Sequence, residues 1–149
     1  SDESARLGQI IVAIRAAVHS AKSLKDTHHD LDAFRQSVDD HFNAWFGRFR
    51  DSARDFYQHL ATMKSASSSS PQFEMLVDMK THNEAHHRAL HAAILEAVGS
   101  DLLTEVQIST LLNVNRELYL SNQSLLSALA EALLDTHSAT DFESIPVVA

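Results

Sequence analysis

Apolar residues recur at spacings of three and four along most of this chain, and few helix-breaking residues interrupt them. Only three glycines and two prolines occur in 149 residues. Glycine and proline destabilise the interior of a helix more than any other residue, so their scarcity favours long helices. With 44% hydrophobic residues and a length typical of one domain, the chain is expected to form a single all-α core.

The pattern predicts helices over residues 1–137. The first helix carries a stripe of apolar residues that should face the core, Leu7, Ile11, Ile14, Val18 and Ala21. The break before the second helix could fall at Thr27-His28-His29-Asp30. A start at Ser37-Val38-Asp39-Asp40 is favoured, because this segment offers an N-cap serine and acidic residues for the first turn. Most of the aromatic residues follow in this second helix, and we expect them to pack in the core.

A serine-rich loop at residues 65–70 separates the second and third predicted helices. The third should run from about Pro71 to Val98, before Gly99. The fourth should open with the capping-box pattern of Thr104 and Gln107 and fade near His137. Residues 138–149 are expected to be a disordered tail. Short links between helices of similar length predict an antiparallel up-down-up-down bundle of about four long helices.

Charge and composition exclude several classes of function. The net charge is −8, from 20 acidic and 12 basic residues, which argues against nucleic acid as a partner. The chain has no cysteine, so disulfides and zinc–thiolate sites are excluded. Neither a phosphate-binding glycine loop nor a nucleophile elbow occurs, and we expect a protein that is not an enzyme. Because the chain starts at Ser1 rather than at a methionine, we also expect a longer parent protein.

Polar residues interrupt the predicted buried faces. Counting from a shared end of the bundle, Lys25, His87 and Asn115 lie about three turns below the helix links, with His28 and Asn83 nearby. These residues are therefore predicted to form one polar layer. Three interpretations are open: a hydrogen-bonded layer that fixes helix register, a small-anion site held by the lysine and histidines, or a polar face shared with a partner.

Ten histidines raise the question of a metal. His82 and His86 are four residues apart on the third helix, as are His87 and His91, and this spacing can chelate a metal ion. Glu84 with His87 gives one Glu-x-x-His motif, whereas a carboxylate-bridged di-iron bundle needs two such motifs and two further glutamates. Asp26 with His29 gives an approximate Asp-x-x-His motif. A divalent metal is thus a possible cofactor, with the candidate ligands Asp26, His82, Glu84, His86 and His87.

Two stretches resemble a known family: residues 15–26, RAAVHSAKSLKD, and residues 109–119, STLLNVNRELY. With the helical layout, they are similar to the PhoU-like C-terminal region of bacterial sodium-dependent phosphate cotransporters. PhoU proteins carry Glu/Asp-x-x-x-Asp motifs that bind metal clusters. The matching pairs here are Lys25 with His29 and Glu117 with Ser121, of which only Glu117 keeps a carboxylate. Asp26 and Asp30 fit the motif one residue out of that alignment, so the resemblance adds Asp30 to the candidate metal ligands.

The resemblance implies a regulatory domain on the cytoplasmic side of the inner membrane, within a membrane protein. Its partner would be the membrane transport domain of the same polypeptide, and it would tune phosphate uptake. Phosphate and a second copy of the chain are further partners to consider. Two alternatives are a free-standing metal-binding bundle that uses the histidines and carboxylates, and a dimerisation or adaptor module whose polar layer only sets register.

Overall fold

The computed structural model describes residues 1–63 and 69–146, which form helices joined by short links. No strand occurs in these residues, so the prediction of an all-α fold is confirmed. The predicted loop falls mostly outside the described residues, and residues 69 and 70 belong to a helix. The helices are α1 (Asp2–Gln36), α2 (Asp40–Thr62), α3 (Ser69–Val98), α4 (Glu105–Leu133) and α5 (Thr136–Glu143).

Side chains near the helix ends account for two of the boundaries. Asp39 caps α2 by accepting hydrogen bonds from the backbone N–H groups of His41 and Phe42, at 3.0 and 3.3 Å. The break between α1 and α2 thus falls near the predicted position, but the cap is Asp39 rather than Ser37. At α4, Thr104 and Gln107 exchange the two hydrogen bonds of a capping box, as predicted.

Helix α4 lies at the centre of the bundle, because it packs most extensively along α1 and next along α3. It runs antiparallel to α1: Gln9 binds the carbonyl oxygen of Leu134, and Ser20 meets Ser121. It also runs antiparallel to α3, where Asn115 donates to the carbonyl oxygen of His87. Side chains on α4 can therefore connect both neighbouring helices at the same height.

Two apolar clusters form the core, one towards each end of the bundle. The end near the α1–α2 link contains an aromatic group in which the rings of Phe34 and Phe42 meet edge to face at 4.6 Å. Leu111 and Val114 of α4 are fully buried against this group. The other cluster lies around Leu76, Leu126 and the α5 residues. Each large side chain buried in these clusters contributes roughly 1.5–3 kcal/mol to folding.

The predicted inward face of α1 faces outward. Leu7, Ile14 and Val18 are 58%, 58% and 64% exposed, and Ile11 is 43% exposed. The residues that α1 buries are instead Gln9, Ser20, Ser23, Thr27 and Phe34. We call the exposed set the outer face of α1; it comprises Leu7, Ile11, Ile14, Val18, Ala21, Lys25 and His28.

The two faces of α1 have the same spacing, which explains the wrong prediction. Both recur at intervals of three and four residues, but they are offset by two positions, about 200° around the helix. Short side chains such as Ser20 and Ser23 allow α1 and α4 to pack closely, since the distance between helix axes depends on the side chains at the contact. The close α1–α4 contact therefore uses the small residues and leaves the larger apolar ones on the surface.

The predicted tail contains a fifth helix. Asp135 caps α5 by accepting from the backbone N–H of Ser138 at 2.8 Å, and Ala139 and Phe142 are each only 1% exposed. Residues 138–146 thus fold onto the bundle, contrary to the prediction of a disordered tail, whereas residues 147–149 lie outside the described residues. Two buried side chains in an eight-residue helix give too little periodicity to identify a helix from sequence.

None of the helices in residues 1–63 and 69–146 combines the length and the apolar character needed to cross a membrane.

Candidate functional site

A layer of polar side chains separates the two apolar clusters. Asn83 of α3 donates to the carbonyl oxygen of Tyr119 at 3.3 Å, and Asn122 of α4 donates to the side-chain oxygen of Asn83 at 3.0 Å. Asn115 donates to the carbonyl oxygen of His87 at 3.0 Å. The structure thus brings together Asn83, His87 and Asn115, three of the residues predicted for this layer, and adds Asn122.

His87 and Glu84 are the two members of this region with unused hydrogen-bonding capacity. The ring of His87 stacks on that of Tyr119 at 4.4 Å, and burial, with His91 and Arg88 nearby, lowers the pKa of His87 below its usual 6.5. Among the described residues, His87 Nδ1 and Glu84 Oε1 are buried atoms without a hydrogen-bond partner. A small cavity of about 30 Å³ lies between Asn83, His87 and Asn115.

Lys25 and His28 do not belong to this layer. Both lie on the outer face of α1, where the side chain of His28 is 77% exposed and pairs with Asp32 at 3.4 Å. The predicted anion site of Lys25, His28 and His87 is therefore not assembled. Without Lys25, the layer consists of amides, Tyr119 and a histidine whose lowered pKa favours the neutral form, and the positive charge beside it belongs to Arg88, which is exposed.

The residues predicted to match the PhoU metal motifs do not form a cluster of metal ligands in the described part of the chain. Asp26 and His29 are exposed, Asp30 is half-buried, and none of them belongs to a cluster of potential metal ligands in the described residues. Glu117 lies 3.2 Å from the guanidinium of Arg116, while Ser121 is fully buried against α1. The antiparallel register nevertheless brings residues 22–26 of the first resembling stretch beside the second one, because Ser20 lies opposite Ser121.

A second polar site lies on the surface between α2 and α3. His82 Nε2 is 2.8 Å from Asp55 Oδ2, and His86 Nε2 is 4.0 Å from the same oxygen. One ligand atom from each of the three residues lies within 4.8 Å of the others. We call Asp55, His82 and His86 the α2–α3 cluster. Of the predicted metal candidates it contains His82 and His86, whereas Glu84 and His87 lie outside it.

Neighbouring groups hold the cluster in position. His59 Nδ1 bonds to the backbone oxygen of Asp55 at 2.9 Å and lies 3.7 Å from the carboxylate. His86 Nδ1 lies 3.3 Å from the hydroxyl oxygen of Ser52. The hydrogen bond from His82, with the charges of His59, His82 and His86, lowers the pKa of the Asp55 carboxyl. The cluster therefore presents an ionised carboxylate between imidazole rings.

Asp55 and its neighbour His59 are the site residues that the sequence analysis missed. They are four residues apart on α2, as His82 and His86 are on α3. This shared spacing is the sequence signal from which Asp55 and His59 could have been identified. In a helical bundle, the spacing within one helix does not reveal which face of another helix these residues contact. The contact between Asp55 and His82 depends on the antiparallel packing of α2 and α3, which places Ser52 opposite His86 and Asp55 opposite His82.

No protein-family model, curated protein or solved structure matches this chain. The all-α assignment therefore rests on the helices themselves, and the PhoU-like resemblance of residues 15–26 and 109–119 stays a prediction.

Proposed function

We propose that this chain is a non-enzymatic regulatory domain of a sodium-dependent phosphate cotransporter, where it tunes phosphate uptake. The observation that carries the proposal is the apolar part of the outer face of α1, where Leu7, Ile11, Ile14 and Val18 are 43–64% exposed. Contiguous exposed apolar surface of this kind marks a site of interaction. One of the two stretches that resemble the cotransporter family, residues 15–26, lies on the same helix.

The occupant of the outer face, in this proposal, is the membrane transport domain of the same polypeptide, on the cytoplasmic side of the inner membrane. Leu7, Ile11, Ile14 and Val18 would dock against it, while Lys25 and His28 would lie at the polar end of the contact. Apolar centres with polar surroundings are the usual form of protein interfaces. Docking and release of the bundle would then change the rate of the transport cycle.

Fractionation of the source cells tests the assignment to a membrane protein. An antibody raised against the chain should detect a band well above 16.5 kDa in the membrane pellet. A soluble band near 16.5 kDa would contradict the proposal, because the chain would then exist without a transport domain.

The docking face is tested in the parent transporter by replacing Ile14 and Val18 with serine. This double change should alter the rate of sodium-dependent phosphate uptake at unchanged protein level, because it removes apolar contact area from the interface. Val106 is 76% exposed on α4 and provides the matched control, since its replacement by serine should leave uptake unchanged. Equal uptake by all three proteins would argue against docking through α1.

A second copy of the chain is the competing occupant, as expected of a dimerisation or adaptor module. Residues of the outer face recur at intervals of four and three, which is the spacing that a partner helix requires. Light scattering coupled to size-exclusion chromatography separates the two proposals. A monomer supports docking on the transport domain, whereas a dimer that the Ile14 and Val18 replacements dissociate would assign the outer face to self-association.

A further inference from the structure

The α2–α3 cluster has the composition and spacing of a metal site. Two imidazoles and one carboxylate, drawn from two helices, bring their ligand atoms within 4.8 Å of one another. Imidazole nitrogen and carboxylate oxygen are preferred ligands of zinc and of neighbouring divalent ions, and two histidines with one carboxylate is a recurring zinc set. The side chains are 41–46% exposed, so an ion can reach them from solvent.

The Asp55 carboxylate indicates that the bound ion would carry a positive charge. Histidines alone could attract an anion. The Asp55 Oδ2 atom, however, lies 2.8 Å from His82 Nε2 and 4.0 Å from His86 Nε2, so a carboxylate oxygen already occupies the place where an anion would contact both rings. A cation, by contrast, would be attracted by the carboxylate and would accept lone pairs from neutral imidazoles. We propose that Asp55, His82 and His86 bind one divalent transition-metal ion of the zinc class between α2 and α3.

Binding requires only small movements of the three side chains. Ligand atoms bound to a tetrahedral zinc ion at about 2.0–2.1 Å lie roughly 3.4 Å from each other. The Asp55–His82 contact of 2.8 Å must lengthen and the Asp55–His86 contact of 4.0 Å must shorten. Rotation of exposed side chains accomplishes both changes. A fourth ligand could be water, because the three side chains are partly exposed.

Ser52 supplies an outer hydrogen bond of the kind that such a site needs, and His59 lies beside the cluster. When His86 Nδ1 donates to the Ser52 hydroxyl, its Nε2 carries the lone pair that would face the metal. His59 is held at the backbone of Asp55 and lies beside His82, with ring centres 5.4 Å apart. The Ser52 contact thus orients the His86 ring before an ion arrives.

A bound ion would clamp α2 to α3. In the described residues α2 packs less extensively on α3 than α4 does, so the ion would add a crosslink between two helices that share little packing contact. Metal ligation would therefore raise the thermal stability of the chain. This inference does not depend on the proposed transporter function, and its test requires neither membranes nor transport.

The experiment is a calorimetric titration of the 149-residue chain, purified without a histidine tag and freed of metal by chelation, with zinc chloride. We expect one zinc per chain and a higher Tm with zinc than without it. His86→Ala and Asp55→Asn should each weaken binding by at least about tenfold and remove most of the Tm shift. Both positions are partly exposed, so the variants are expected to fold, which circular dichroism can verify.

His28→Ala is the matched control. His28 lies 3.4 Å from the carboxylate of Asp32, but both residues belong to α1, and this pair has no third ligand in the described residues. The control should bind zinc like the unmodified chain. Absence of zinc binding by the unmodified chain, or equal loss in His28→Ala and His86→Ala, would overturn the inference.

Discussion

Ser20 of α1 and Ser121 of α4 are linked by two hydrogen bonds across the buried contact between the helices. Their hydroxyl oxygens are 3.0 Å apart, and the Ser121 hydroxyl also donates to the backbone oxygen of Ser20 at 3.0 Å. Ser121 is fully buried and Ser20 is 4% exposed. This pair fixes both the register of α1 on α4 and the side of α1 that faces solvent.

A larger side chain at this contact should force the helices apart. We expect Ser121→Leu to lower the free energy of unfolding by about 1–3 kcal/mol, because overpacking shifts the backbone and breaks the serine pair. Ser109 lies exposed on the same helix, and Ser109→Leu should change stability by less than about 0.5 kcal/mol. Urea denaturation measures both variants; equal stability of the two would contradict the close α1–α4 contact.

The Asn83–Asn122 hydrogen bond should show energetic coupling. Asn83→Ala removes the acceptor of the Asn122 amide and should cost about 1–3 kcal/mol, because a polar group in a shielded layer loses its partner. The double variant with Asn122→Ala should cost less than the sum of the single changes, with a coupling of about 0.5–3 kcal/mol. Additive effects in this cycle would show that the layer is not a connected network. Exposed Asn113→Ala is the control for loss of an asparagine.

His87 should make the bundle less stable in mild acid. Its pKa is lowered from 6.5 by burial and by its neighbours His91 and Arg88, so the unfolded chain takes up the proton at higher pH than the folded chain. The stabilisation is thus complete above about pH 6.5 and is lost as the pH falls towards the folded-state pKa. The urea midpoint should fall more in the unmodified chain than in His87→Phe between about pH 7.5 and about pH 5.5.

His28→Ala is the control for the His87→Phe variant. The His87→Phe change keeps a ring that can stack on Tyr119, so loss of packing does not explain a smaller pH effect. His28→Ala removes an exposed histidine and should leave the pH dependence nearly as it is in the unmodified chain. The same pH dependence in His87→Phe and in the unmodified chain would contradict the assigned role of His87.

Helix α5 should contribute to stability. Phe142 is 1% exposed in the cluster with Leu76 and Leu126, and Phe142→Ala should lower the free energy of unfolding by about 3–5 kcal/mol. Val38 is fully exposed, and Val38→Ala should have little effect. Thermal denaturation of both variants makes the comparison. If Phe142→Ala left the free energy of unfolding unchanged, the segment would behave as the disordered tail that the sequence predicts.

Features that depend on local sequence were predictable. The capping box of Thr104 and Gln107 and the start of α2 near Asp39 follow from hydrogen bonds between residues close in the chain. Asn83, His87 and Asn115 could be grouped because height along an antiparallel bundle follows from counting residues at a fixed rise. The same counting placed Lys25 wrongly, because the height of a residue along a helix does not specify the direction in which its side chain projects.

The sequence by itself determined that this chain is helical and approximately where its long helices begin and end. Scarce glycine and proline, capping residues and the three-and-four spacing act within one helix and need no partner. The tertiary structure alone decided which of the two stripes on α1 is buried and that Asp55 meets His82 and His86. These outcomes depend on how helices pack, since Ser20 and Ser121 allow a close approach that larger side chains would prevent.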